Sequence, residues 1–165
     1  MSKIILKSLL LIPLLAIATS AYANCLKVSK ETTVDASPDT TWKMIGDFNH
    51  LDVWHPVVVD SKLVGDTTGV GAVRVLTLGD GASITEKLLS HDDSARNYSY
   101  AITESPLPVA NYESTISITP TADGKSVVKW SSSFNAKGAS DEEASKAISG
   151  IYDAGLNNLN KHFNQ

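Results

Sequence analysis

Cysteine is nearly absent from this chain: Cys25 is the only one in 165 residues, so no internal disulfide can close. Metal-binding patterns are missing too. There is no His-Glu-x-x-His and no paired-cysteine spacing, and His50 and His55, with Asp47 and Asp52 nearby, lie across a loop. Gly69-x-Gly71 lacks the lysine and the following helix of a phosphate loop, and no Gly-x-Ser-x-Gly elbow occurs. No metal and no cofactor is therefore expected. Basic charge is sparse: 14 Lys and Arg stand against 18 Asp and Glu, with no basic stretch, which argues against nucleic acid and anionic membranes as partners. No apolar run reaches the roughly 20 residues that span a bilayer. Internal repeats and low-complexity linkers are absent as well.

What is present begins with the leader. Lys3 and Lys7 precede an apolar run over 8–18, broken by Pro13, and Ala21-Tyr22-Ala23 then offers small residues where a signal peptidase reads. That order predicts a secretory signal peptide over 1–23, cleaved after Ala23, and a single domain over 24–165. Asn24 before Cys25 does not fit a lipobox, so no stable membrane anchor is expected after cleavage. A short leader of this kind points to a Gram-negative periplasm. Its loss takes away two lysines and no acid, moving the net charge from −4 to −6. Cys25 reads as a tolerated thiol, with an intermolecular disulfide as the alternative.

The remainder reads as a strand, two short helices, six strands and a long helix. The first strand is expected over 27–34. Ser37-Pro38 starts a helix, with Ser37 capping free amides and Pro38 in the first turn, and Gly46 stops it. A second short turn is expected over 48–51. Strands follow over 57–64, 71–78, 83–89, 96–103, 112–119 and 127–134, with Gly79-Asp80-Gly81 marking a hairpin. Ser140 with Glu143 makes a capping box for a last helix running to about 161. Ile148, Ile151, Tyr152, Gly155, Leu156, Leu159 and Phe163 recur along it at helical spacing.

Several short runs carry a family resemblance: Trp42-x-x-Ile45-Gly46-Asp47-Phe48, Trp54-His55-Pro56, Gly69-x-Gly71-x-x-Arg74, Gly81-x-x-Ile84-x-Glu86, Tyr98-x-Tyr100-x-Ile102, Pro106-Leu107-Pro108-Val109 and Trp130. In this order they resemble the START-like or Bet v 1-like superfamily, and most of all its SRPBCC, polyketide cyclase/dehydrase-like branch. The resemblance implies an α+β helix-grip fold: a curved antiparallel seven-stranded sheet wrapped around the long C-terminal helix, with an apolar cavity between them. In size and export the chain is also similar to the MxaD-like periplasmic accessory proteins of methanol oxidation.

The resemblance places Trp54-His55-Pro56 near the cavity mouth, where His55 would hydrogen-bond a ligand or act as acid or base; the plainer reading packs Trp54 and leaves His55 solvated. Arg74 and Glu86 flank the hairpin. Facing inward they would anchor a ligand carboxylate or carbonyl, and facing outward they form a surface pair worth about 0–1 kcal/mol. Of Tyr98, Tyr100, Tyr112, Trp130 and Phe134, at least two are expected to line the cavity. Ile151 and Gly155 face it from the helix, Gly155 giving either close packing or room for a ligand. Three functions follow as expectations. The first is an exported binding protein for a small hydrophobic or amphipathic molecule, such as a lipid or aromatic metabolite. The second is a cyclase- or dehydratase-type enzyme using His55, Arg74, Glu86 and Tyr100. The third is an MxaD-like accessory with a periplasmic protein partner.

Overall fold

The computed structural model describes residues 25–165, so the expected signal peptide lies outside the described residues. The elements are β1 (Leu26–Val34), α1 (Pro38–Ile45), α2 (Leu51–Trp54), β2 (Val58–Val64), β3 (Val73–Leu78), β4 (Ser83–Asp92), β5 (Asn97–Glu104), β6 (Val109–Pro120), β7 (Ser126–Ala136) and α3 (Asp141–Phe163). The strands form one antiparallel sheet in the order β1-β7-β6-β5-β4-β3-β2. Register shifts interrupt the β2–β3, β4–β5 and β6–β7 ladders. Such bulges increase local twist and bend the sheet, which here wraps α3 in the expected helix-grip arrangement.

Local chemistry explains where the elements begin. Ser37 accepts from Thr40 N at the start of α1, with Pro38 just inside, and Gly46 ends the helix. Ser140 and Glu143 close a reciprocal capping box at the start of α3. Some expected boundaries move. The short second helix is 51–54 rather than 48–51, because Phe48 turns inward to pack on Tyr98 and Tyr100. Arg96 leaves the strand and takes φ 49 in the turn after β4, a turn fixed by Ala95 N donating to Asp92. Gly71, at φ 93, likewise precedes the strand it was expected to open.

The inner face of the sheet carries the core. Val128, Trp130 and Phe134 on β7 alternate inward, as do Tyr112, Ile116 and Ile118 on β6 and Tyr98 and Tyr100 on β5. From α3, Ala144, Ile148, Tyr152, Gly155, Leu156 and Leu159 are buried, whereas Ile151 and Phe163 at the edges of the stripe are half-buried. Trp130 stacks on Tyr152 with centroids 4.3 Å apart, joining sheet to helix. Cys25 is exposed and free.

Gly155 decides how closely the helix approaches. A Cβ there would stand 2.6 Å from His55 Cδ2 and 3.0 Å from Trp54 Cζ3. Of the two readings the sequence left for this glycine, close packing is the one found. Gly150 has open space around it. Gly155→Ala should therefore destabilise the protein by about 1–3 kcal/mol through overpacking. Gly150→Ala should stabilise it by roughly 0.5–1 kcal/mol through helix propensity. Urea unfolding of the two variants tests the opposite signs.

Candidate functional site

Direct pairing of Arg74 with Glu86 across β3 and β4 puts both charged groups on the inner face. Arg74 is fully buried and Glu86 nearly so. Arg74 Nε donates to Glu86 Oε2 at 2.7 Å. Nη2 lies 2.6 Å from the same oxygen in an ionic contact without hydrogen-bond geometry. Nη1 donates to the Phe48 carbonyl. The guanidinium carbon sits 4.1 Å from the Phe48 ring centroid and 5.4 Å from that of Tyr100. Burial works against the Arg74 charge, and Glu86 together with Tyr98 and Tyr100 more than offsets it. Burial pushes the Glu86 carboxyl up from its ordinary value, while Arg74 offsets part of that push. A buried guanidinium without a counter-charge is far costlier than the pair, so Glu86 stays a carboxylate beside it at neutral pH.

His55 follows α2 in extended geometry, φ −101 and ψ 115, as the proline after it requires. It is buried, not solvated. Its Nε2 donates to the Ile151 carbonyl at 3.0 Å, which fixes the tautomer and leaves Nδ1 as a bare acceptor. Nδ1 has no partner. Burial lowers the pKa of His55, the Ile151 hydrogen bond opposes this, and the Arg74 charge lowers it further, so the ring is neutral at pH 7.

A polar chain runs through the aromatic wall. Trp130 Nε1 donates to Tyr100 OH and to Ser114 Oγ, each at 3.0 Å. Ser114 Oγ donates to the Ser131 carbonyl and lies 3.0 Å from Tyr152 OH, which in turn meets Tyr112 OH. Burial raises the pKa of Tyr100 and Tyr112 well above the ordinary value and pushes Tyr98 up to about 12, so all three keep their protons.

These groups surround a cavity of about 50 Å³ between the sheet and α3. Among the expected site residues, His55, Glu86, Tyr100, Tyr112, Trp130 and Ile151 line it. Trp54, Arg74, Tyr98, Phe134 and Gly155 do not. Trp54 sits behind His55 beneath Gly155, Arg74 behind Glu86, and Phe134 behind Tyr112. Tyr98 lies on the same inner face, packed between Tyr100, Phe48 and His91 and away from the cavity. Sequence reasoning missed most of the apolar lining, including Leu51, Leu76, Ile84, Leu107 and Ile148. Leu76 and Ile84 alternate with the strand period on the face of Arg74 and Glu86, and that spacing is the signal that finds them. Sequence reasoning also missed Phe48 as the clamp on Arg74, and Ser114, which alternates between Tyr112 and Ile116.

A larger cleft, about 590 Å³, opens to solvent beside Trp42 and Phe48. Two pairings cross it: Trp42 Nε1 donates to Asp93 at 2.8 Å and His91 Nε2 meets the Gly46 carbonyl at 2.9 Å. The smaller inner cavity, where an unpartnered acceptor and a carboxylate meet apolar walls, has the features of a ligand site. Among the described residues, no cluster of three or more His, Cys, Asp or Glu is placed to hold a metal.

Two measurements check this electrostatic reading. Arg74→Met alone should cost about 3–5 kcal/mol, because it strands Glu86, whereas Arg74→Met with Glu86→Gln should cost less than the single change. For His55, the unfolded chain takes up a proton below about pH 6.5 that the folded ring resists. Stability should thus fall on acidification below that pH and level off above it. His55→Gln, which can keep a donor near Ile151, should lose up to about 1.4 kcal/mol per pH unit of that slope.

Known proteins share both the sequence pattern and the fold. The family model described as "Polyketide cyclase / dehydrase and lipid transport" matches residues 26–164. The structure of the protein XoxI from Bacillus cereus is 37% identical, covers 84% of this chain and 96% of its own, and superposes with a TM-score of 0.79. A crystal structure of a Bacillus thuringiensis protein is 35% identical, over 85% of this chain and 100% of its own, with a TM-score of 0.79. A Nitrosospira multiformis protein is 28% identical over 84% and 96%, with a TM-score of 0.74. No curated protein matches the chain.

Proposed function

The chain belongs to the polyketide cyclase/dehydrase and lipid transport family, and from that premise we propose that it is an exported binding protein for a compact hydrophobic or amphipathic molecule. The observation that carries this reading is the cavity under α3, apolar on most sides and bordered by Glu86, Tyr100 and His55, whose Nδ1 is buried without a partner. At about 50 Å³ it has room for a water or two. A cavity of about 150 Å³ takes a benzene ring, so even one aromatic ring must displace side chains on entry. Val57 is exposed and Leu78, Ile102, Leu107 and Ile151 are half-buried at its wall, so these side chains have the most room to yield. This favours a small aromatic or short amphipathic ligand over a long acyl chain. The leader over 1–23 would deliver the domain over 24–165 to the periplasm.

A second reading has its own support. His55, Glu86 and Tyr100 border one cavity, as a cyclase- or dehydratase-type reaction would need, with a neutral imidazole as proton acceptor and a protonated phenol as donor. The MxaD-like accessory reading stands behind both, because it draws on export and net charge and on no feature of the cavity.

Native mass spectrometry of protein purified from the periplasm, followed by denaturing extraction, tests the binding function. A stoichiometric small molecule recovered unchanged is the expected result. Recovery of a converted product favours the enzyme. In titrations, a small neutral aromatic should change tryptophan emission saturably through Trp130. Ile84→Phe, which fills the cavity, should abolish that response. An unaltered response in that variant would place binding elsewhere.

A further inference from the structure

Each polar group at the cavity wall has a definite remaining capacity. His55 Nε2 is occupied by the Ile151 carbonyl, so the ring offers only the acceptor Nδ1. Glu86 borders the cavity as a carboxylate, which only accepts. The Tyr100 oxygen accepts from Trp130, so its remaining group is its own O–H. Ser114 gives its hydrogen to the Ser131 carbonyl, so Tyr152 donates to Ser114 and Tyr112, the other phenol on the wall, donates to Tyr152, which leaves the Tyr112 oxygen as an acceptor. Arg74, the one buried Lys or Arg among the described residues, does not line the cavity. Its guanidinium is covered by the Phe48 and Tyr100 rings and engaged by Glu86 and the Phe48 carbonyl. The polar side chains that line the cavity therefore leave three acceptors, one of them charged, and a single donor.

Resting on the reading of this cavity as a binding site, we propose that it selects an uncharged alcohol or phenol and rejects carboxylates. A hydroxyl is the smallest group that both donates and accepts. It gives its hydrogen to Glu86 or His55 and takes the Tyr100 hydrogen. A ketone meets the Tyr100 donor and leaves the acceptors unmet. A carboxylate brings a second negative charge against Glu86 in a dry site, with no free cation to receive it. This reverses the expectation that Arg74 anchors an acid: the arginine acts through Glu86, holding an acceptor at the wall rather than offering itself.

Calorimetric titration of the purified protein with 4-propylphenol, propylbenzene and 4-propylbenzoate tests the proposal. The phenol should bind about tenfold or more tighter than propylbenzene, since a hydrogen bond to a charged group is worth that much. The benzoate should bind more weakly than either. In Arg74→Met/Glu86→Gln, which removes both charges together, the preference of phenol over benzoate should shrink at least severalfold. Benzoate binding as tightly as the phenol overturns the proposal while leaving the binding reading intact. So does equal affinity for phenol and propylbenzene. If none of the three binds, the cavity is not a site for compact aromatics, and the proposal falls together with the reading beneath it.

Discussion

A guanidinium inside a protein core must have a counter-charge, and much of this structure follows from where that counter-charge stands. Arg74 is fully buried, and only Glu86, directly opposite on the next strand, neutralises it. A one-residue slip between β3 and β4 would turn one of them outward and strand the other, so the pair fixes the register of the hairpin. Its third contact, the Phe48 carbonyl, ties the connection between α1 and α2 down onto the sheet. Phe48 then covers the guanidinium and packs on Tyr98 and Tyr100. One buried charge thus organises strand pairing, a loop and part of the aromatic wall.

The same constraint shapes the chemistry of the interior. Glu86 holds the cation back and presents a carboxylate to the cavity, while the cation's field helps keep His55 neutral. From the other side, α3 approaches closely because Gly155 has no Cβ, and its Ile151 carbonyl takes the His55 proton donor. An imidazole seated by packing therefore turns its unprotonated nitrogen away from the helix with no partner. A core built for stability alone would fill such a position with an apolar side chain, since a buried acceptor without a partner costs about 1–3 kcal/mol. Trp54 Nε1, Tyr98 OH and Ser132 Oγ are also buried without a hydrogen-bond partner, but of these residues only His55 borders the cavity.

The elements themselves were legible because each is specified by near neighbours in the chain. Ser37-Pro38, the Ser140 and Glu143 box and Gly79-Asp80-Gly81 act within one turn, and the alternation of Tyr98, Tyr100 and Ile102 reports one sheet face. The boundaries that moved did so for tertiary reasons: Phe48 left the expected second helix to cover Arg74. The candidate site was legible in part. His55, Glu86, Tyr100, Tyr112, Trp130 and Ile151 reached the cavity. Trp54, Arg74, Tyr98, Phe134 and Gly155 share their faces but lie one layer behind, and alternation cannot separate a wall from its backing.

By itself the sequence determined the order of elements, which residues share a face on β5 and β7, and the stripe of α3, because capping, turn chemistry and periodicity are local. Only the tertiary structure decided that Arg74 and Glu86 face inward together, that His55 is buried with one nitrogen bare, and that Gly155 serves close packing. These depend on how far the helix descends onto the curved sheet. That distance is set by contacts between residues far apart in the chain, such as His55 with Ile151 and Trp130 with Tyr152. No local pattern encodes it.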